Sequence, residues 1–235
     1  MRKIVLILGS APAVIRAKSW DRSAFDLILA VNNAWSVRPD WDVLIHPDDF
    51  PIDRRPHTLK SGQTIVTSTD YVPIQNSFGG FVYAGGTMAF TAAYWALGAL
   101  KPAVIAMMGC DMTYDGVQTH FYGNGTADPL RKDISLRSLE AKSARLDIVA
   151  AQNNCAMVNL STETSRLTFP RTTLHAAPAS IPVQHDAALA AAALNEEARL
   201  GYYVPSGKYW KQEDQFDRDA IDDLDQMWLK AAQLA

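Results

Sequence analysis

Short apolar segments recur along the first two-thirds of the chain, and most are continuous rather than alternating. They are "KIVLILG" (3–9), "FDLILAVN" (25–32), "WDVLIH" (41–46), "QTIVTS" (63–68), "AVIAMMG" (103–109) and "AMVNLS" (156–161). A strand with one wet face alternates polar and apolar side chains, so continuous runs imply strands covered on both faces. Helical patterns lie between them, most clearly over "TMAFTAAYWALGALK" (87–101) and "PLRKDISLRSLEAKSARLDIVAAQN" (129–153). The second is expected to start with Asp128 as N-cap and Pro129 at its first helical position. Its Ile134, Leu139, Leu146 and Val149 trace one face, with Lys and Arg on the other. Strands alternating with helices of this length predict an α/β fold: a Rossmann-like, mainly parallel sheet with helices on both faces.

The texture changes after about Thr162. The stretch "STETSRLTFPRTTLHAAPASIPV" keeps no period, and two further helices are expected in "QHDAALAAAALNEEARLG", ended by Gly201, and in "DQFDRDAIDDLDQMWLKAAQLA". The expected organisation is a Rossmann-like nucleotide-binding domain over 1–161. A loop and C-terminal helical extension over 162–235 would pack on it or act as a lid.

With a formal net charge of -3, the chain has no global electrostatic support for gripping nucleic acid phosphates. The apolar run Ile4 to Leu8 is too short for a secretory signal or a membrane span, so a cytoplasmic location is expected. Cys110 and Cys155 are then expected to be reduced and buried.

In an open parallel sheet, ligands bind beyond the carboxyl ends of the strands. After the first strand, Gly9, Ser10, Ala11 and Pro12 precede a short helix and would bring backbone N–H groups to an anion. They match neither the dinucleotide nor the P-loop fingerprint. After the second strand, Asn32 and Asn33 can offer amides to a base or sugar, although Asn33 would also serve as an N-cap. After the third, His46, Asp48 and Asp49 could position a hydroxyl or hold magnesium, or be exposed turn residues. Gly85, Gly86 and Thr87 open the helix at 87, a second N-terminus suited to phosphate or carboxylate.

The densest cluster follows the fifth strand, in "GCDMTYDGVQTHFYG" (109–123). Asp111 stands at the strand end, where a carboxylate can take a metal ion or a sugar hydroxyl. Tyr114, His120 and Tyr122 follow, and an imidazole with an unperturbed pKa near ~6.5 suits acid or base work. Arg131, at the expected start of the next helix, opposes the helix dipole unless a phosphate lies nearby.

Taken together, "VLILGSAPAVI", "FDLILAVNNAW" and "GGTMAFTAAYWALGALKPAVIAMMGCDMTYDGVQTHFYG" resemble two related groups over about residues 3–161. One is the bacterial lipooligosaccharide sialyltransferases. The other is the MptE-like 6-hydroxymethyldihydropterin diphosphokinases and their relatives, which carry a G-x-D strand end followed by T-H-x-x-G. The resemblance implies that Gly9, Ser10 and Pro12 line nucleotide phosphates and that Asn32 or Asn33 meets the sugar or base. It further implies that Gly86 and Thr87 lie under the donor and that Asp111 anchors the site. The arginine that holds a sialic acid carboxylate in the first group has no counterpart in "FVYAGGT".

The expectation is a nucleotide-dependent transferase taking a nucleotide or nucleotide sugar and a small-molecule or glycan acceptor. Glycosyl transfer leads, with His120 as acid or base, and Tyr114 and Tyr122 on the departing oxygen. One alternative is ATP-dependent diphosphate transfer to a hydroxymethyl compound, with Asp111, Asp48 and Asp49 holding magnesium. Another is a non-catalytic ligand-binding module. No nucleic acid partner and no membrane span are expected, and self-association is left open.

Overall fold

The computed structural model describes residues 2–114, 118–123 and 132–233. The expected strands form one all-parallel sheet: β1 (Ile4–Leu8), β2 (Leu27–Val31), β3 (Val43–Ile45), β4 (Thr64–Val66), β5 (Val104–Met108) and β6 (Ala156–Asn159), in the order β4-β3-β2-β1-β5-β6. The chain builds outward from β1 to β4, then returns to β1's other side with β5. The reversal puts a switch point between β1 and β5, where the loops after the two strands diverge to opposite faces and leave a crevice.

Because the strands are covered on both faces, their side chains divide between two cores. Val5, Ile7, Leu29, Ile45, Ile105 and Met107 face one, against α1 (Ser68–Ser77), α3 (Met88–Trp95) and α4 (Leu139–Gln152). Leu6, Leu8, Ile28, Leu44, Ala106 and Met108 face the other. That second face is layered by short 3-10 segments, including Pro12–Ser19, and by the loop around Leu174 and Ala177. No helix among the described residues is long and apolar enough to cross a membrane.

The structure adds α1, which the sequence reading passed over. Its capping box pairs Thr67 with Asp70, whose carboxylate accepts from the Thr67 N–H at 2.9 Å, but Pro73 sits inside the helix and interrupts the pattern. It also corrects the start of the helix expected at 129. Asp128 and Pro129 lie outside the described residues, and α4 begins at Leu139, where the Ser138 hydroxyl accepts from the Ala141 N–H at 3.1 Å. Asp133 instead caps a short 3-10 turn, Ile134–Leu136.

The expected C-terminal helices are α5 (Ala187–Leu200), ended by Gly201 at φ 64°, and α6 (Arg218–Ala232). They pack together and cover the outward side of α4, burying Ile148, Ala193, Leu224 and Trp228. The cationic face of α4 is therefore not a solvent face. Arg145, 1% exposed, donates to Glu197 of α5 at 2.6 and 2.7 Å, to the Tyr94 hydroxyl at 2.6 Å and to the Phe78 carbonyl at 2.6 Å. Lys142 pairs with Asp225 of α6 at 2.8 Å. A short helix, α2 (Phe81–Ala84), leads from α1 toward α3.

Candidate functional site

The crevice at the switch point is a cleft of about 520 Å³, within the range of roughly 300–1,000 Å³ usual for small-molecule sites. Its floor is the loop after β1 (Gly9, Ser10, Ala11), the end of β2 (Val31, Asn32) and, from the turn after β5, Gly109, Cys110, Met112, Thr113 and Tyr114. The first turn of α3, His120 and Tyr122, and Tyr209 and Trp210 from the connector between α5 and α6 supply its walls.

Gly9 is required by close approach, because a Cβ there would lie 2.3 Å from the Gly109 carbonyl oxygen. The same closeness uses up amides: Gly9 N–H donates to Met108 at 2.9 Å and Ala11 N–H to Gly109 at 2.9 Å. Pro12 has no N–H and does not line the cleft. The glycine turn thus offers fewer donors to an anion than its composition suggests, and Ser10 is the member that remains.

The second N-terminus is better equipped. The Thr87 hydroxyl caps α3 by accepting from the Phe90 N–H at 3.2 Å, leaving the first-turn amides of Met88 and Ala89 with no carbonyl inside the helix to donate to. Both residues line the cleft. Gly85 and Gly86 divide their work. Gly85, at φ 88°, packs under Phe90 and Lys142 off the cleft, and its carbonyl accepts from Gln75 at 3.3 Å. Gly86 N–H is not offered to a ligand; it donates to the Ser135 hydroxyl at 3.0 Å. That hydroxyl donates to Asp133 at 2.6 Å, and Tyr209 donates to the other oxygen of Asp133 at 2.8 Å.

Asn32 sits at φ 52°, a left-handed conformation that costs a non-glycine residue roughly 1 kcal/mol or more. Its Oδ1 is buried with no hydrogen-bond partner. A strained backbone and an unsatisfied acceptor thus coincide on the cleft floor. Asn33 lies just off it, its carbonyl accepting from Ser36 at 2.8 Å.

The loop after β5 folds back as the sequence suggested. His120 and Gly123 exchange backbone bonds at 2.9 and 3.0 Å, and Phe121 N–H donates to Ser10 at 2.9 Å, tying this loop to the one after β1. Tyr114 and Tyr122 flank the His120 ring at 5.6 and 5.0 Å, and Nδ1 of His120 lies 2.9 Å from the Thr119 hydroxyl. Burial holds the imidazole below its ordinary pKa, which favours the neutral ring.

Asp111 does not join them. It is 1% exposed, lies off the cleft and is turned toward the β6 side, where neither carboxylate oxygen reaches a partner in hydrogen-bonding geometry. Burial pushes its pKa up, against the pull of Ser165, Ser161, Asn159 and the Arg171 charge. The backbone turns at Gly109, φ 72°, and it is Cys110 that faces the cleft. Asp48 accepts from the Ser68 hydroxyl at 2.6 Å beside the start of α1, leaving Asp49 as the one member of the expected magnesium trio on the cleft. No group of three or more His, Cys, Asp or Glu side chains that could hold a metal ion occurs among the described residues. Arg131 lies outside the described residues. Both cysteines are buried free thiols.

Sequence reasoning missed Asp133, Ser135, Tyr209 and Trp210. Ser135 and Tyr209 are 74 residues apart in the chain, and only the packing of α5 and α6 on α4 brings them together. Comparisons with protein-family models, curated proteins and solved structures returned no match to this chain.

Proposed function

We propose that the protein is a nucleotide-dependent transferase, with glycosyl transfer from a nucleotide sugar as the reaction that fits the cleft best. The observation that carries this reading is Asn32: a strained residue with a buried, unpartnered Oδ1, on the floor of a switch-point cleft that also receives the free amides of Met88 and Ala89. A ribose hydroxyl or exocyclic amine would satisfy Oδ1, while the helix amides and Ser10 take a phosphate.

In the reaction, the bond from the anomeric carbon to the phosphate oxygen breaks as the acceptor hydroxyl oxygen bonds to that carbon. The nucleotide phosphate leaves with the electron pair, met by hydrogen bonds from Tyr114 and Tyr122. Neutral His120 takes the acceptor's proton.

Two features favour this chemistry over ATP-dependent diphosphate transfer. Among the described residues no Lys or Arg lines the cleft to offset a triphosphate, the most highly charged of the candidate donors. Asp48 and Asp111 are also engaged or turned away from where magnesium would bridge phosphates. The test is calorimetry with CMP, UDP, GDP and ATP, with and without magnesium. Metal-independent binding of a nucleoside mono- or diphosphate is expected; strict magnesium dependence with AMP release would favour diphosphate transfer, and binding by none of them removes the proposal.

A further inference from the structure

The connector between α5 and α6 places an exposed indole on the cleft. Tyr209 is the anchor: 3% exposed, hydroxyl bound to Asp133 at 2.8 Å, ring stacked on Phe81 at 6.1 Å and 18°. The next residue, Trp210, meets the Tyr209 ring at 5.5 Å and 79°, yet remains 58% exposed. So exposed an indole has ring surface open to water. Tyr122, 41% exposed, reaches the same cleft from the loop after β5. An aromatic ring left wet on a cleft wall offers a stacking face to a flat guest or to the apolar side of one.

The surrounding charge narrows what that is. Next to Trp210, Tyr209 holds the Asp133 carboxylate at 2.8 Å, and no Lys or Arg among the described residues lines the cleft, so a neutral guest suits the indole better than an anionic one. A nucleobase gains most from full desolvation between ring faces. A sugar ring needs one aromatic face for its C–H side and keeps its hydroxyls wet, as a half-exposed indole allows. Asp49, exposed on the same cleft, can accept from such hydroxyls. We infer that Trp210 forms an acceptor subsite that stacks the apolar face of a neutral pyranoside. The acceptor role rests on the transferase reading; the stacking itself does not.

The test titrates the full chain with methyl glycosides of glucose, galactose, mannose and N-acetylglucosamine, and with choline, by saturation-transfer NMR and indole fluorescence. At least one glycoside should bind, with saturation concentrated on the C–H protons of one ring face. Trp210→Ala should weaken it about tenfold, the size of one ring-stacking contact, and Trp210→Phe should retain part of the affinity. Since Trp210 is exposed, both variants should keep the parent's thermal midpoint, and nucleotide affinity should stay within about twofold of the parent. The inference is overturned if no glycoside binds, if Trp210→Ala leaves glycoside binding unchanged, or if it abolishes nucleotide binding instead. Choline binding more tightly than every glycoside, and lost in Trp210→Ala, would overturn it in favour of a cation subsite. Glycosides binding through Trp210 while no nucleotide binds would remove the transferase reading and leave the subsite standing.

Discussion

Replacing Glu197 by alanine probes the contact that attaches the C-terminal helices. In the parent, the Glu197 carboxylate accepts two bonds from Arg145 and one from Trp228 Nε1 at 2.9 Å, all in a region where Arg145 is 1% and Glu197 5% exposed. Truncation leaves the guanidinium buried, still held by the Tyr94 hydroxyl and the Phe78 carbonyl but with no counter-charge. Removing one partner of a buried pair costs about 3–5 kcal/mol, against about 0–1 kcal/mol for an exposed one. For a chain of this size that corresponds to a fall in Tm of roughly 6–20 °C. Replacing both partners, as Arg145→Met with Glu197→Leu, should recover much of the loss, because no charge is then stranded. Chemical denaturation of the parent, Arg145→Met, Glu197→Leu and the double variant closes a cycle that isolates the pair, with Glu197→Ala measured beside it. A cost below about 1 kcal/mol for Glu197→Ala would refute the buried arrangement of α4, α5 and α6.

Further outcomes follow from other sites. Burial raises the Asp147 pKa from 3.8 to about 7, so between those values the folded state keeps a proton that the unfolded chain releases. The stabilisation from this group is full below about pH 4 and is lost as pH rises through 7, a difference of roughly 4 kcal/mol at about 1.4 kcal/mol per unit. Asp147→Asn should therefore be more stable than the parent in urea at pH 8 and no more stable at pH 4; equal gain at both would contradict the assignment. Gly86→Ala puts a Cβ 2.3 Å from the Tyr209 hydroxyl and 2.7 Å from the Ser135 hydroxyl. It should cost about 1–3 kcal/mol in a denaturation experiment and weaken nucleotide binding as the α3 turn shifts. Asn32→Gly should relieve the strained φ, leaving stability equal to the parent or up to about 1 kcal/mol higher, while calorimetric nucleotide affinity falls about tenfold.

The strands were legible because continuous apolar runs closed by Gly, Asn or Pro leave little else for the chain to do. The start of α4 was not. Asp128-Pro129 and Ser138 are both acceptable cap signals, and local pattern does not show that Asp133 caps a turn and receives Tyr209 from 76 residues away. The cationic stripe of α4 misleads for the same reason, since Lys142 and Arg145 find their carboxylates 83 and 52 residues downstream. At the cleft, position was readable and direction was not. Gly9, Ser10, Asn32, Thr87, His120 and Tyr122 all meet there as the strand-end rule predicts. Asp111 holds the expected place on β5 but turns away, because the φ 72° turn at Gly109 decides which neighbour faces the crevice.

The most direct test is to titrate the isotopically labelled protein with CMP and UDP and follow its backbone amides by NMR. A phosphate on the α3 turn and a ribose or base against Asn32 predict the largest shifts at Ser10, Asn32, Met88 and Ala89. A second depression, where Lys132, Arg137 and Arg218 outnumber Asp133 and Glu213, offers a nucleotide phosphate an alternative. Shifts confined to that depression, with the switch-point amides unmoved, would contradict the account.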